Sequence, residues 1–253
     1  MAHQTLLVRA LGPVTLSYDR RDAPVLTAQV RTTLAVLLTK LGEIVPTDML
    51  IDCVWEGFPP RSARHGLHVI MSHLRSELEP DGSDSPKHLE SRSPGYRLDL
   101  GIDEFDVRIV EDLVHMGREC REAQELDEAE ALLIAAEAMC HGRPYAEFTY
   151  AEFAQPEIRR LTELCISAVE DRIAVQLDLG RHRDLIPELE GLTMEHPTRE
   201  SLLFQLMTAL YRCDRPADAI VEFESARRRL RDDYGSEPSR STTALADTIR
   251  RSA

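Results

Sequence analysis

The sequence predicts a multidomain chain of 253 residues, an α+β part over residues 1–100 followed by an all-α part over 103–253. Three observations predict it. Apolar residues recur at strand period at the start and a hairpin with Pro94-Gly95 at its tip closes that part, with helical period between them. From about Asp103 onward the patterns are helical only. Two of those later stretches match each other at one fixed offset, that from Gly180 to Asp214.

The opening stretch, from Met1 to Thr27, reads as short strands. "TLLVRALG" and "VTLSY" are separated by Gly12-Pro13, a turn pair, and Val14, Leu16 and Tyr18 alternate with Thr15 and Ser17. "APVLT" is a candidate third strand. "VRTTLAVLLTKLG" changes to helical period through Val30, Leu34, Leu37, Leu38 and Leu41, and stops at Gly42. Thr47 is a candidate N-cap for a second helix, "DMLIDCVWEG". Pro59 and Pro60 separate it from a third, "SARHGLHVIMSHLRSELEP", with Ser62 as its candidate cap. A polar loop, "PDGSDSP", leads to "HLESRSPGYRLDL", a hairpin with Pro94-Gly95 at positions a type II turn favours. Strands, three helices and a terminal hairpin are the outline of a winged helix-turn-helix, in which the third helix enters the DNA major groove and the wing lies over a neighbouring minor groove.

In the all-α part, Gly180, Leu185, Leu189 and Leu192 correspond in turn to Asp214, Ala219, Phe223 and Ala226, all at the same offset. That offset is the tetratricopeptide period, at which small or apolar residues let paired helices interlock. Ala129, Leu133 and Ala136 keep the internal spacing of Leu185, Leu189 and Leu192, but lie further upstream of them than one period. An insertion is therefore expected around residues 143–164. It holds Tyr145, Phe148, Tyr150 and Phe153, rings expected to pack the insertion onto the bundle, with a small-molecule groove as the other reading.

Composition narrows the function. Residues 1–100 hold 11 Lys and Arg against 12 Asp and Glu, whereas the rest hold 19 against 32. An acidic bundle is repelled by phosphate, so nucleic-acid contact belongs to the near-neutral first part. Five scattered cysteines without a CxxC pair argue against a zinc site or disulfide framework and fit a reducing cytoplasm. No apolar run approaches the ~20 residues of a membrane span, and no secretory signal opens the chain. GxxxxGK[ST], GxSxG and HExxH are absent, which argues against catalysis, and no cofactor is implied.

On a helical projection of the third helix, Ala63, Ile70, Met71, Leu74 and Leu78 fall near Leu67 and form a core stripe. His65, Val69, Ser72 and Ser76 lie on the opposite arc, flanked by His68 and His73, with Arg64 and Arg75 at the stripe's edge. Such an arc is an ordinary solvated face or a base-reading surface. Val69 could meet a thymine methyl, the serines bases or phosphates, and the histidines guanine acceptors. A metal site on His65 and His68 lacks a third ligand on that arc. Arg92 and Arg97 bracket the wing turn, where arginine reads a narrow minor groove or is simply exposed.

"LGPVTLSYDR", the stretch from Arg31 to Leu78 and "SRSPGYRLDL" resemble the DNA-binding half of the actinomycete antibiotic regulatory proteins, the SARP family. The stretch from Glu170 to Ser239 resembles the bacterial transcriptional activation domain that follows it in that family. The resemblance implies an OmpR-type winged helix and a tetratricopeptide-like domain. It implies an activator of a secondary-metabolite gene cluster that binds double-stranded DNA at direct repeats near the promoter −35 region, two protomers head to tail, and engages RNA polymerase holoenzyme. It also implies a small member, without a receiver, ATPase or sensor region. The family pattern places DNA contacts on Arg31, Trp55, the third helix's arc and the wing. Trp55, Arg64, Ser72, Arg75, Arg92 and Arg97 match in type, whereas His73 and Ser76 stand where arginine is common and Glu77 where alanine is. Those departures remove positive charge, so weak intrinsic affinity is expected, compensated by paired sites or polymerase. The alternative is an interaction protein whose winged helix has lost DNA binding.

Overall fold

The computed structural model describes residues 6–18, 21–22, 26–79, 88–140 and 142–252. They fall in two compact units, one drawn from Met1–Leu113 and Ala135–Ile166, the other from Val114–Ile134 and Ser167–Ala253.

In the first unit β1 (Leu6–Arg9) and β2 (Thr15–Tyr18) pair antiparallel, with Val8 opposite Leu16. Val14 and Leu16 point inward and Thr15 outward, as the alternation requires, but Ser17 is buried too, its hydroxyl donating to the Leu7 carbonyl at 3.4 Å. The third strand, β3, is Arg21–Asp22 rather than "APVLT". Ala23–Val25 lie outside the described residues, and Thr27 instead caps α1 (Ala28–Leu38), accepting from the Val30 amide at 3.4 Å. Val30, Leu34, Leu37 and Leu38 of α1 are all buried. The helix ends before Leu41, because Lys40 and Leu41 close tight turns onto the Leu37 and Leu38 carbonyls at 3.1 and 3.3 Å.

β4 (Ile44–Pro46), β5 (Leu89–Arg92) and β6 (Gly95–Leu98) form a second sheet in the order β4-β6-β5. Between its strands come α2 (Thr47–Val54) and α3 (Ala63–Leu78). Two expected caps are not made: α2 begins at Thr47, whose hydroxyl donates to the Pro94 carbonyl at 3.0 Å, and Ser62 precedes α3 without a side-chain capping bond. The wing turn is also not type II. Arg92 pairs with Gly95, so Ser93 and Pro94 are the central residues, joined by a cis peptide bond, which makes the turn type VI. Gly95 serves another need, since a Cβ there would sit 1.8 Å from the Val45 carbonyl oxygen of β4. The loop "PDGSDSP" lies outside the described residues.

A buried carboxylate continues this unit into α4 (Asp106–Glu122). Asp106 accepts from the Ala10 amide at 2.9 and 3.0 Å and from Leu11 at 3.0 Å, tying the helix start to the β1–β2 turn. The insertion runs from Cys140 to Ala154, shorter than expected because the following helix already begins at Gln155. It is held to the same β1–β2 turn: the Tyr145 amide donates to the Ala10 carbonyl at 3.0 Å, and Glu147 accepts from the Val14 amide at 3.0 Å. Its rings therefore divide. Tyr145 is fully buried, Phe148 and Phe153 meet at 5.5 Å, and Tyr150 is 98% exposed.

The remaining helices are α5 (Leu126–Met139), α6 (Gln155–Asp178), α7 (His182–Glu195), α8 (Glu200–Arg212), α9 (Pro216–Tyr234) and α10 (Arg240–Ser252). Three turns between them are built alike. Gln124, Gly180 and Asp214 each take a left-handed conformation, with φ of +65°, +82° and +59°. The next amide reaches back across each turn, Glu125 to Cys120, Arg181 to Gln176 and Arg215 to Leu210, at 2.8, 3.0 and 3.0 Å. These turns keep the same offsets as the apolar pattern, so the period in the sequence is a period in the backbone. Ala129, Leu133, Leu185, Leu189, Ala219, Phe223 and Ala226 fill core positions it assigns, whereas Leu192 is only half-buried.

Candidate nucleic-acid interface

The amphipathic reading of α3 holds at each core position: Ala63, Leu67, Ile70, Met71, Leu74 and Leu78 are all buried. The opposite arc is open. Arg64, His65, His68, Ser72, His73 and Ser76 are exposed, and Val69 is 44% exposed. A single exposed apolar residue such as Val69 is ordinary on a protein surface, and it takes nothing from the buried stripe below.

Trp55, just after α2, is half-buried, and its ring lies over Gly66. A Cβ on Gly66 would stand 3.2 Å from a ring carbon of Trp55, so the glycine leaves a flat seat for the indole on the first turns of α3.

Three hydrogen bonds, from two side chains of α3, fasten the wing to that helix. Arg75, half-buried, donates from Nε to the Leu89 carbonyl at 3.1 Å and from Nη2 to the Ser91 hydroxyl at 2.8 Å. His68 Nδ1 lies 3.0 Å from the Tyr96 hydroxyl on β6. Sequence reasoning named neither Ser91 nor Tyr96. Tyr96 carried a signal in retrospect, because the hairpin's alternation points it to the same side as the buried Leu98.

The remaining arginines each face a carboxylate. Arg64 pairs with Asp48 at 2.8 Å, Arg92 with Glu90 at 2.8 Å and Arg97 with Asp99 at 2.8 Å. Arg31 lies on α1, its Nη2 donating to the Leu26 carbonyl at 3.2 Å and its Nε 3.7 Å from Glu147 of the insertion. The structure thus gathers Trp55, the α3 arc, Arg92 and Arg97 on neighbouring elements, while Arg31 is engaged with the insertion. Burial pushes the Cys53 thiol of α2 up, and the Asp52 charge adds to it, so this cysteine stays protonated. Among the described residues no group of three or more His, Cys, Asp or Glu is placed to hold a metal ion.

Two family models match this chain. Residues 22–98 match the C-terminal domain of transcriptional regulatory proteins, and residues 105–250 match the bacterial transcriptional activator domain. The chain belongs to the SARP family. This SARP chain is similar to the transcriptional regulatory protein EmbR of Mycobacterium tuberculosis, 33% identical over 95% of the chain and 62% of EmbR. It is 29% identical to the regulatory protein DnrI of Streptomyces peucetius, over 96% of the chain and 92% of DnrI. The solved structure of M. tuberculosis EmbR in complex with a low-affinity phosphopeptide superposes with a TM-score of 0.92 at 32% identity, over 99% of this chain and 66% of that one. The SARP chain therefore spans less than two thirds of the full length of EmbR. It is a transcriptional regulator by family, with a winged helix followed by a helical bundle. Among its described residues no helix is long and apolar enough to cross a membrane.

Proposed function

We propose that the chain is a sequence-specific DNA-binding activator of a secondary-metabolite gene cluster. The third helix enters the major groove of promoter direct repeats near the −35 region. His65, His68, Val69, Ser72, His73 and Ser76 face base edges and phosphates, with Trp55 and Arg64 beside them. Arg92 and Arg97 carry the wing toward the next minor groove. Two protomers bind head to tail, and the acidic helical part stays clear of phosphate and recruits RNA polymerase holoenzyme in the cytoplasm.

The observation that carries this reading is the α3 arc, polar and exposed around a half-open Val69, above a stripe that is buried throughout. Its arginine pairs imply modest affinity, since each ion pair must open or be shared before phosphate is bound. An electrophoretic mobility shift on the upstream region of the adjoining gene cluster, with and without polymerase, tests it. A shifted band that competitor repeats abolish supports the reading. The same ion pairs favour one rival, an interaction protein whose winged helix meets another protein, and absence of any shift in both arms would select it.

A further inference from the structure

We propose that Cys140 and Cys165 are a peroxide-sensing pair, in which Cys165 is the attacking thiol, Cys140 the resolving thiol and a reversible disulfide the product. The chemistry is independent of what α3 binds.

Cys140 directly follows α5, its amide donating to the Glu137 carbonyl at 2.9 Å, and Cys165 lies within α6. Both belong to the first compact unit. Their side chains share a hydrogen bond, thiol to thiol. Sulfurs already in contact need only close to the S–S length of about 2.05 Å to form a bridge. Both side chains are half-buried, so neither is sealed from a molecule as small as hydrogen peroxide.

The shared hydrogen bond also assigns the roles. It holds the Cys165 thiol below its ordinary value, against the opposing effects of burial and the Asp106 charge. It keeps the proton on Cys140, whose thiol is pushed above its ordinary value, with burial adding to the effect. The Cys53 and Cys120 thiols, by contrast, are pushed up, first by burial and then by neighbouring carboxylates. The thiolate is the reactive form, so oxidation begins at Cys165.

The Cys165 thiolate attacks one oxygen of hydrogen peroxide, the O–O bond breaks, and hydroxide leaves and takes up a proton as water. Cys165 is then a sulfenic acid, and Cys140 has lost the thiolate that held its proton. The Cys140 sulfur attacks the Cys165 sulfur, the S–O bond breaks, and a second water leaves. The two thiols give up two electrons, and one peroxide is reduced to two waters. In a reducing cytoplasm the bond is transient, formed under oxidant and cleared by thiol exchange. The segment it closes carries the whole insertion, which the Tyr145 amide and the Glu147 carboxylate hold on the β1–β2 turn. Oxidation therefore clamps the insertion to α6 and restricts the unfolded chain.

The test treats the full, reduced chain with hydrogen peroxide and digests it without reductant for mass spectrometry. A cross-linked peptide pair holding Cys140 and Cys165 is expected, lost again on adding dithiothreitol. Free thiols should fall from five to three. The oxidised chain should melt about 2–10 °C above the reduced one, and an unchanged melting temperature would overturn the clamp. Cys140→Ser should leave a sulfenic acid on Cys165 that dimedone traps, whereas Cys165→Ser should leave Cys140 unmodified. Melting curves of the reduced variants verify that they fold, and the wild-type peptide map decides the matter without them. Dimedone on Cys140 in Cys165→Ser, with none on Cys165 in Cys140→Ser, would overturn the roles. A map in which both thiols stay free, or bridge to other cysteines, would overturn the pair.

Discussion

Replacing Arg75 by methionine separates two roles that this side chain could play. The structure makes it a strut between α3 and the wing, with its guanidinium on the Leu89 carbonyl and the Ser91 hydroxyl at 3.1 and 2.8 Å. A hydrogen bond from a charged group contributes about 1.5–3 kcal/mol when well shielded. This guanidinium is half-buried, so solvent screening reduces the pair to about 1–2 kcal/mol in all. Methionine keeps the aliphatic stem and loses both donors. For a chain of this size the loss lowers the melting temperature by about 2–8 °C. The control is Arg64→Met, whose partner Asp48 is an exposed surface carboxylate, and it should leave the melting temperature within about 1 °C. Differential scanning calorimetry reads both, and anisotropy on promoter DNA reads the affinity. An Arg75→Met variant that melts like wild type but loses DNA affinity would refute the strut and make Arg75 a direct phosphate contact.

Three further outcomes follow from the same geometry. Gly95→Ala should cost about 3 kcal/mol or more in urea unfolding, because its Cβ would meet the Val45 carbonyl oxygen at 1.8 Å; a loss under about 1 kcal/mol would mean that β4 and β6 part easily. Burial pushes the Asp106 carboxyl up to about 6, although the Leu11 and Ala10 amides favour its charged form. Its folded-state value thus lies above the ordinary ~3.9, so its stabilisation, about 3 kcal/mol at most, is complete below about pH 4 and is lost as pH rises through 6. The melting temperature of wild type should fall relative to that of Asp106→Asn from pH 4 to pH 7, and one that rises relative to the variant would reverse the sign. Val69→Asp should abolish preference for the promoter sequence while melting like wild type, and unchanged promoter binding would remove Val69 from the interface.

The fold was legible where the pattern is redundant. The core positions spaced along α3 over-determine its buried face, and the tetratricopeptide offset recurs in side chains and in the left-handed turns at Gly180 and Asp214 alike. Single-residue inferences fared worse, because one polar side chain has several partners within reach. Thr47 and Ser62 look like caps from local sequence, yet Thr47 bonds the distant Pro94 carbonyl and Ser62 makes no capping bond. Pro94-Gly95 suggests a type II turn, but the close approach of β4 explains the glycine and Pro94 takes the turn itself. For the candidate site, exposure along the arc could be read from periodicity. The carboxylates facing Arg64, Arg92 and Arg97 were not singled out, although Glu90 and Asp99 lie close in sequence to their arginines. The insertion's hold on the β1–β2 turn joins residues far apart in the chain, as in Glu147 to Val14, and leaves no local signal.

The most direct test of the account is the structure of this chain bound to a duplex carrying its promoter repeats. The account predicts Val69 and Ser72 within van der Waals or hydrogen-bond reach of base edges in the major groove, His65 and His73 at phosphates, and the wing at the adjacent minor groove. A complex in which the α3 arc faces solvent or another protein, with the helical bundle holding the duplex, would contradict it.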